Sequence, residues 1–71
     1  MAKVRVPSDF VGKALREARL RERDGINVLA IERIDAAGIR RRIAPRADTV
    51  LQRGDVLVVM GEERAVDRLR R

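Results

Sequence analysis

The eleven residues from Leu51 to Gly61 constrain the fold of this chain most strongly. They contain the pair Gly54-Asp55, five consecutive apolar residues from Val56 to Met60, and Gly61 in front of two glutamates. A glycine-containing pair predicts a tight turn, and an unbroken apolar run predicts a central strand covered on both faces. Acidic residues are favoured at helix N-termini. The segment therefore predicts a turn, a central strand and a helix, which we expect over 62–69.

The N-terminal third predicts one strand and one helix. Lys3–Val6 alternates in polarity and predicts a short strand that ends at Pro7. Apolar residues then recur at helical spacing between positions 11 and 18, and predict a helix over Phe10–Arg19 that includes Gly12. Residues 21–25 are polar, end in glycine and predict a connection.

The middle of the chain predicts a strand and its return. We expect a central strand over Ile26–Arg33, with Ile26, Val28 and Ala30 on one face and Leu29 and Ile31 on the other. Residues 35–38 predict a hairpin connection, and residues 39–43 an edge strand whose arginines oppose uncontrolled pairing. The segment 44–48 then crosses back, and residues 49–51 re-enter the core.

The resulting order is β-α-β-β-β-α, one α+β domain over residues 1–71. We expect a small sandwich with a mostly antiparallel sheet and two helices. A core of this size rarely supplies more than about 3 to 5 kcal/mol of net stability without a further constraint. The sequence has neither cysteine for a disulfide nor histidine for a soft metal site. We therefore predict that the domain is a homodimer.

Composition excludes several function classes. Without His or Cys, the usual nucleophile and base pairs cannot be assembled, so we predict no enzyme, no catalytic residue and no metal site. The glycines stand singly, so no phosphate-binding glycine loop is expected. No stretch has the roughly 18 apolar residues of a membrane span, and we expect a soluble chain. The net charge of +6 attracts anions, either through generally solvated arginines or at a specific anionic ligand.

Two alternatives remain open at this stage. One is a purely structural dimerisation module without a ligand. The other is a nucleic-acid-binding module that uses Arg40–Arg42, although the chain has a single aromatic residue and so no platform on which bases could stack.

A series of single residues and short segments agrees in order and spacing with a known family. They are Pro7, Val11-Gly12-Lys13, Leu15, Leu20-Arg21, Gly25-Ile26-Asn27-Val28, Ala30-Ile31, Arg33, Pro45, Asp48-Thr49-Val50-Leu51, Gly54-Asp55-Val56-Leu57-Val58-Val59 and Gly61. In this pattern the chain resembles the C-terminal ligand-sensing domain of regulators of potassium conductance, called RCK_C or TrkA-C. The resemblance covers nearly the whole chain.

The resemblance implies a ligand site at the interface of a dimer, because family members that sense cyclic di-AMP bind it there. Arg21 would meet the phosphate charge and Asn27 would hydrogen-bond the phosphate or the adenine. Alternatively, Arg21 pairs with Glu17 and Asn27 pairs with nearby backbone. The full set of matching positions comprises Arg21, Asn27, Ala44, Pro45, Arg46 and Ala47, with Leu15 and Ile26 as apolar walls.

One departure concerns Arg46 and Ala47, since some nucleotide-binding members carry other side chains there, including His. Pro45 itself could serve only to stiffen the crossover. The resemblance further implies a cytoplasmic domain that acts with a potassium channel or cation transporter subunit in the membrane. It does not imply NAD or ATP binding by these residues, because in the resembled proteins a separate Rossmann domain usually has that role.

Overall fold

The computed structural model describes residues 1–70 and contains one four-stranded sheet. Its strands are β1 (Ala2–Arg5), β2 (Asn27–Ile34), β3 (Arg40–Ile43) and β4 (Val56–Met60). Their order across the sheet is β1-β4-β2-β3, and every neighbouring pair is antiparallel. The predicted α+β class, the central place of β4 and the edge position of β3 are thus confirmed, with strand ends within one residue of those expected.

The helical region after β1 differs from the prediction of one continuous helix. A 3-10 helix covers Ser8–Phe10, α1 covers Leu15–Ala18 and α2 covers Leu20–Asp24. Gly12 has a φ of +86° and lies in the turn before α1, so the helix predicted to begin at Phe10 is wrong. A left-handed backbone is compatible with glycine and incompatible with the helix interior. The residues predicted as a polar connection, 21–24, form most of α2 instead.

The last helix, α3 (Glu63–Arg70), begins and ends one residue later than predicted. Its Ala65, Val66 and Leu69 are buried against the sheet, as their spacing predicts. Together with α1 and α2 it covers one face of the sheet. The core between them consists of Val4, Val6, Ala18, Leu20, Ile26, Ile31, Leu51, Leu57, Val59, Ala65, Val66 and Leu69.

A bulge in β2 changes which residues share a face. Val28 pairs with Val59 and Ala30 pairs with Val58, so Leu29 is the extra residue between them. Val28 therefore lies on the same face as Ile31, and the predicted grouping of Val28 with Ala30 is wrong. A bulge inserts one residue and shifts the two-residue alternation by one step, which no apolar pattern reveals.

The second face of the sheet, which we call the outer face, is not covered by any described helix. It carries the exposed Met60 and Ile34, so the prediction that the central strands are covered on both faces holds only for residues near the middle, such as Val58. By strand register the outer face consists of Lys3, Arg5, Asn27, Ala30, Glu32, Ile34, Arg40, Arg42, Val56, Val58 and Met60.

A buried ion pair joins the sheet to the crossover on the helix-covered face. Nε and Nη2 of Arg33 donate to the two carboxylate oxygens of Asp55 at 2.9 and 2.7 Å, and Nη2 also donates to the Val50 carbonyl at 3.0 Å. The Asp55 carboxylate in turn accepts from the Gln52 N–H at 2.8 Å. The hydrogen bond to Asp55 raises the pKa of Arg33 above its usual value. The pair thus fixes the turn before β4 and the segment around Val50.

Candidate ligand-binding groove

A surface groove of about 300 Å³ lies where the start of β2 meets α1, α2 and the crossover that follows β3. Its walls combine apolar side chains with charged ones from the two short helices. The lining consists of Leu15, Arg16, Arg19, Leu20, Arg21, Glu22, Ile26, Asn27, Val28, Pro45 and Ala47.

Backbone hydrogen bonds hold the helical wall against the crossover wall. The N–H of Leu15 donates to the Thr49 carbonyl at 2.8 Å, and the N–H of Arg16 donates to the Ala47 carbonyl at 3.0 Å. Further along, the Leu51 N–H donates to the Lys13 carbonyl at 2.9 Å. These bonds leave little freedom between the two walls, so the groove is built into the fold.

The junction of α1 and α2 gives the groove its positive charge. Arg19 separates the two helices with a φ of 51° and a ψ of 38°, the left-handed region that costs a non-glycine residue about 1 to 2 kcal/mol. This kink brings Arg16, Arg19 and Arg21 to one groove, where the only lining carboxylate is Glu22. Three positive charges against one negative charge favour an anionic ligand.

Glu17 has a structural role beside the groove. Its carboxylate oxygen Oε1 accepts from the Ala14 N–H at 2.8 Å, which satisfies a backbone donor at the start of α1. Within residues 1–70 no ion pair joins Glu17 to Arg21, so the pairing considered for Arg21 from the sequence is not formed. Arg21 is exposed and lines the groove.

Asn27 lies at the first position of β2, pairs with Met60 and is exposed at the rim of the groove. Its register assigns its side chain to the side of the sheet that carries Met60. Among the described residues its amide makes no hydrogen bond to protein, which corrects the expectation that it pairs with nearby backbone. Ile26 beside it is 1% exposed and contributes only a small part of the apolar wall.

Six of the eight residues expected at the site line the groove, and two do not. Ala44 and Arg46 belong to the turn of the crossover: the Arg46 N–H donates to the Ala44 carbonyl at 3.0 Å and to the Thr49 hydroxyl at 3.2 Å. The six that line it are Leu15, Arg21, Ile26, Asn27, Pro45 and Ala47.

Sequence reasoning missed Arg16 and Arg19 as groove residues. Their spacing of three places them on one side of a helix, and this was the only available signal. The kink at Arg19 leaves no trace in the sequence, since no glycine or asparagine marks it.

Comparisons with known proteins identify the family and the fold of the chain. Within residues 1–70 no helix has the length and apolar character needed to cross a bilayer. The family model described as the TrkA-C domain matches residues 1–71. The chain belongs to the TrkA-C family. No curated protein sequence matches it.

Solved structures with the TrkA-C fold include ligand complexes. The RCK C domain of the potassium transport protein KtrA in complex with cyclic di-AMP is 24% identical, with a TM-score of 0.78 over 94% of this chain and 74% of that one. The GsuK channel bound to NAD is 28% identical, with a TM-score of 0.75 over 96% of this chain and 12% of that one. An RCK domain solved with "cda" is 26% identical, with a TM-score of 0.69 over 97% of this chain and 90% of that one.

This TrkA-C chain therefore has the RCK C fold of potassium transport regulators. It spans only about an eighth of the GsuK channel chain.

Proposed function

We propose that this TrkA-C domain is the effector-sensing part of a potassium or cation transport system, and that its groove receives a small anionic effector. The observation that carries the proposal is the convergence of Arg16, Arg19 and Arg21 on a groove whose rim also includes Asn27. Cyclic di-AMP is the first compound to test, because it is present in the KtrA RCK C complex. We place the domain in the cytoplasm beside a membrane-embedded channel or transporter subunit.

The proposal includes a homodimer with the groove at the two-fold axis. The groove is open to solvent on the single chain, and a second copy would bring a matching set of arginines and apolar walls to a symmetric dianion. Ligand occupancy would then select one relative orientation of the two subunits. A complete switch between two orientations requires roughly 5.5 kcal/mol of differential binding.

Calorimetry with cyclic di-AMP tests the ligand. We expect saturable binding by the parent domain, and a loss of affinity of about 10- to 100-fold in Arg21→Ala, since a charged hydrogen bond contributes about 1.5 to 3 kcal/mol. Arg64→Ala on α3 removes the same charge outside the groove and should bind as the parent does. Equal losses in both variants, or no heat with the parent, would contradict the assignment.

A second variant separates the charge of Arg19 from its backbone. Asn tolerates the left-handed region better than Arg does, so Arg19→Asn should keep or raise the melting temperature while it weakens cyclic di-AMP binding. A variant that binds normally would show that the arginine at this position has no role in the ligand site. Sedimentation equilibrium, with and without the ligand, tests the dimer.

The nucleic-acid alternative loses support from the structure. Arg41 donates to Asp35 at 2.6 Å, and Arg40 and Arg42 lie 3.5 and 3.4 Å from Glu32. The three arginines also do not share a face, since Arg41 lies opposite Arg40 and Arg42 in β3. The single aromatic residue of the chain offers no series of platforms on which bases could stack. The structural-module alternative predicts a dimer without ligand heat, and the calorimetry distinguishes it.

A further inference from the structure

The outer face of the sheet carries a positive charge that the proposed groove function does not use. It presents Lys3 and Arg5 from β1 and Arg40 and Arg42 from β3, with Glu32 as its only carboxylate. Four basic residues against one acidic residue leave a net charge of +3. Exposed apolar side chains accompany them, since Met60 and Ile34 are 51% and 60% exposed.

Glu32 lies beneath the basic side chains and does not neutralise the surface above it. Its carboxylate lies 3.2 Å from Lys3 Nζ, 3.4 Å from Arg42 Nη2 and 3.5 Å from Arg40 Nη1. The Glu32 side chain is 6% exposed, whereas these three basic side chains are all more than half exposed. A partner that approaches this face therefore meets ammonium and guanidinium groups first.

The shape of the outer face favours a planar partner. The main concavities of the described residues are lined by other parts of the molecule, and none includes Glu32, Arg40, Arg42 or Val58. Helical and proline-rich peptides bind in grooves, which this face lacks, and an extended peptide adds to the edge of a sheet and not to its face. A second copy of the same face would bring two charges of +3 together, which opposes symmetric pairing here.

We propose that the outer face docks on an anionic phospholipid surface. Lys3, Arg5, Arg40 and Arg42 meet the head groups, and the apolar Met60 and Ile34 enter the boundary between head groups and acyl chains. The four basic groups all project from one side of a sheet, so they can reach one plane together. This inference goes beyond the effector groove and does not depend on it.

Vesicle flotation tests the proposal with phosphatidylcholine alone and with phosphatidylcholine mixed with phosphatidylglycerol. We expect binding only to the mixed vesicles, and release as salt is raised. A basic residue near an anionic leaflet contributes about a five-fold gain in affinity, so Arg40→Gln/Arg42→Gln should lower partitioning about 25-fold at low salt. Arg64→Gln/Arg68→Gln on α3 has the same net charge and should lose less than about three-fold.

Arg5→Gln is the second variant, because Arg5 is exposed and outside the ion pairs of the described residues. Its removal leaves Glu32 with its partners and should still cost about five-fold in partitioning. Three results would overturn the proposal: equal binding to neutral vesicles, equal losses in the β3 and α3 double variants, or binding to an acidic polypeptide without binding to vesicles.

Discussion

Glu32 and Arg33 are neighbours in β2, yet their ion pairs differ because the two side chains project to opposite faces of the sheet. Arg33 meets Asp55 in a two-pronged arrangement at 2.7 and 2.9 Å, with Asp55 only 1% exposed. Glu32 meets three basic groups at 3.2 to 3.5 Å, all of which reach solvent. The first pair organises the interior, whereas the second shapes the charge of a surface. Ion pairs between carboxylates and basic side chains thus stabilise the interior on the helix-covered face and set the charge of the exposed surface on the outer face.

Removal of Asp55 is expected to have the largest effect on stability, and it tests whether the Arg33–Asp55 pair organises the interior. Asp55→Ala leaves Arg33 without its carboxylate and Gln52 without its acceptor, and should lower the free energy of unfolding by about 3 kcal/mol. This equals most of the stability expected for a domain of this size. Urea denaturation measures the change. Asp48→Ala removes an exposed carboxylate from the crossover and should cost less than about 0.5 kcal/mol.

The double variant Arg33→Met/Asp55→Leu provides the control for the buried pair. Apolar replacement of both partners should recover part of the loss, because the cost of a broken pair comes largely from the charge left unpaired. A single Asp55→Ala variant that loses less than about 1 kcal/mol would show that the Arg33–Asp55 pair does not organise the interior.

A smaller loss is expected from Gly61→Ala, on the helix-covered side. A methyl group at Gly61 would lie 3.1 Å from Cγ1 of Ile26, which is closer than van der Waals contact. Ile26 is buried and cannot move freely, so we expect a cost of about 1 kcal/mol in urea denaturation. Because Ile26 also lines the groove, cyclic di-AMP affinity should fall in the same variant. Arg53→Ala, at an exposed position in the turn before β4, should change neither quantity.

The ion-pair cluster of Glu32 with Lys3, Arg40 and Arg42 should make the stability of the fold sensitive to acid. The hydrogen bond from Lys3, helped by the charges of Lys3, Arg42 and Arg40, lowers the pKa of Glu32 below its usual 4.5. Because the pKa of Glu32 is lower in the folded state than in the unfolded state, its ionised carboxylate stabilises the fold above pH 4.5. This contribution to the free energy of unfolding is lost as the pH falls from 4.5 through the folded-state pKa. Glu32→Gln should therefore show a smaller drop in melting temperature below pH 4.5 than the parent. Identical pH profiles would contradict the charge cluster.

Asp35 also makes the stability of the fold depend on acidic pH, both in the parent and in Glu32→Gln. The hydrogen bond from Arg41, followed by those from the backbone N–H groups of Ile39 and Ala37, lowers its pKa below 3.8. Its contribution is lost at a lower pH than 3.8 and persists in Glu32→Gln. The residual acid sensitivity of that variant thus provides an internal reference.

The sequence predicted those elements of the fold whose local residue pattern matches their surroundings in the structure. The apolar run of β4, the hairpin at Asp35–Gly38 and the arginine-rich edge β3 each bear their own signal, and the structure has all three. The failures are the kink at Arg19 and the bulge at Leu29, where tertiary packing imposes a backbone that the residue type does not announce.

The candidate groove was predictable only through the family resemblance. Leu15, Asn27 and Pro45 are far apart in sequence and have no shared periodicity, so no spacing rule brings them together. Their proximity depends on the crossover returning beside α1, which the hydrogen bonds of Leu15 and Arg16 establish. The positive charge of the groove depends on the kink at Arg19, and so the structure was needed to find two of its three arginines.

The smallest expected change in stability tests most directly whether one face of the sheet is buried and the other is exposed. Ile31 and Ile34 belong to the same strand, but Ile31 is fully buried on the helix-covered face and Ile34 is largely exposed on the outer face. Ile31→Val should cost about 1 kcal/mol, whereas Ile34→Val should change the free energy of unfolding by less than about 0.5 kcal/mol. Both changes remove one methylene and keep a β-branched side chain, so strand propensity is unchanged. If Ile34→Val proved as costly as Ile31→Val, the outer face would be covered in solution, for example by a second copy, and no longer open to a lipid surface.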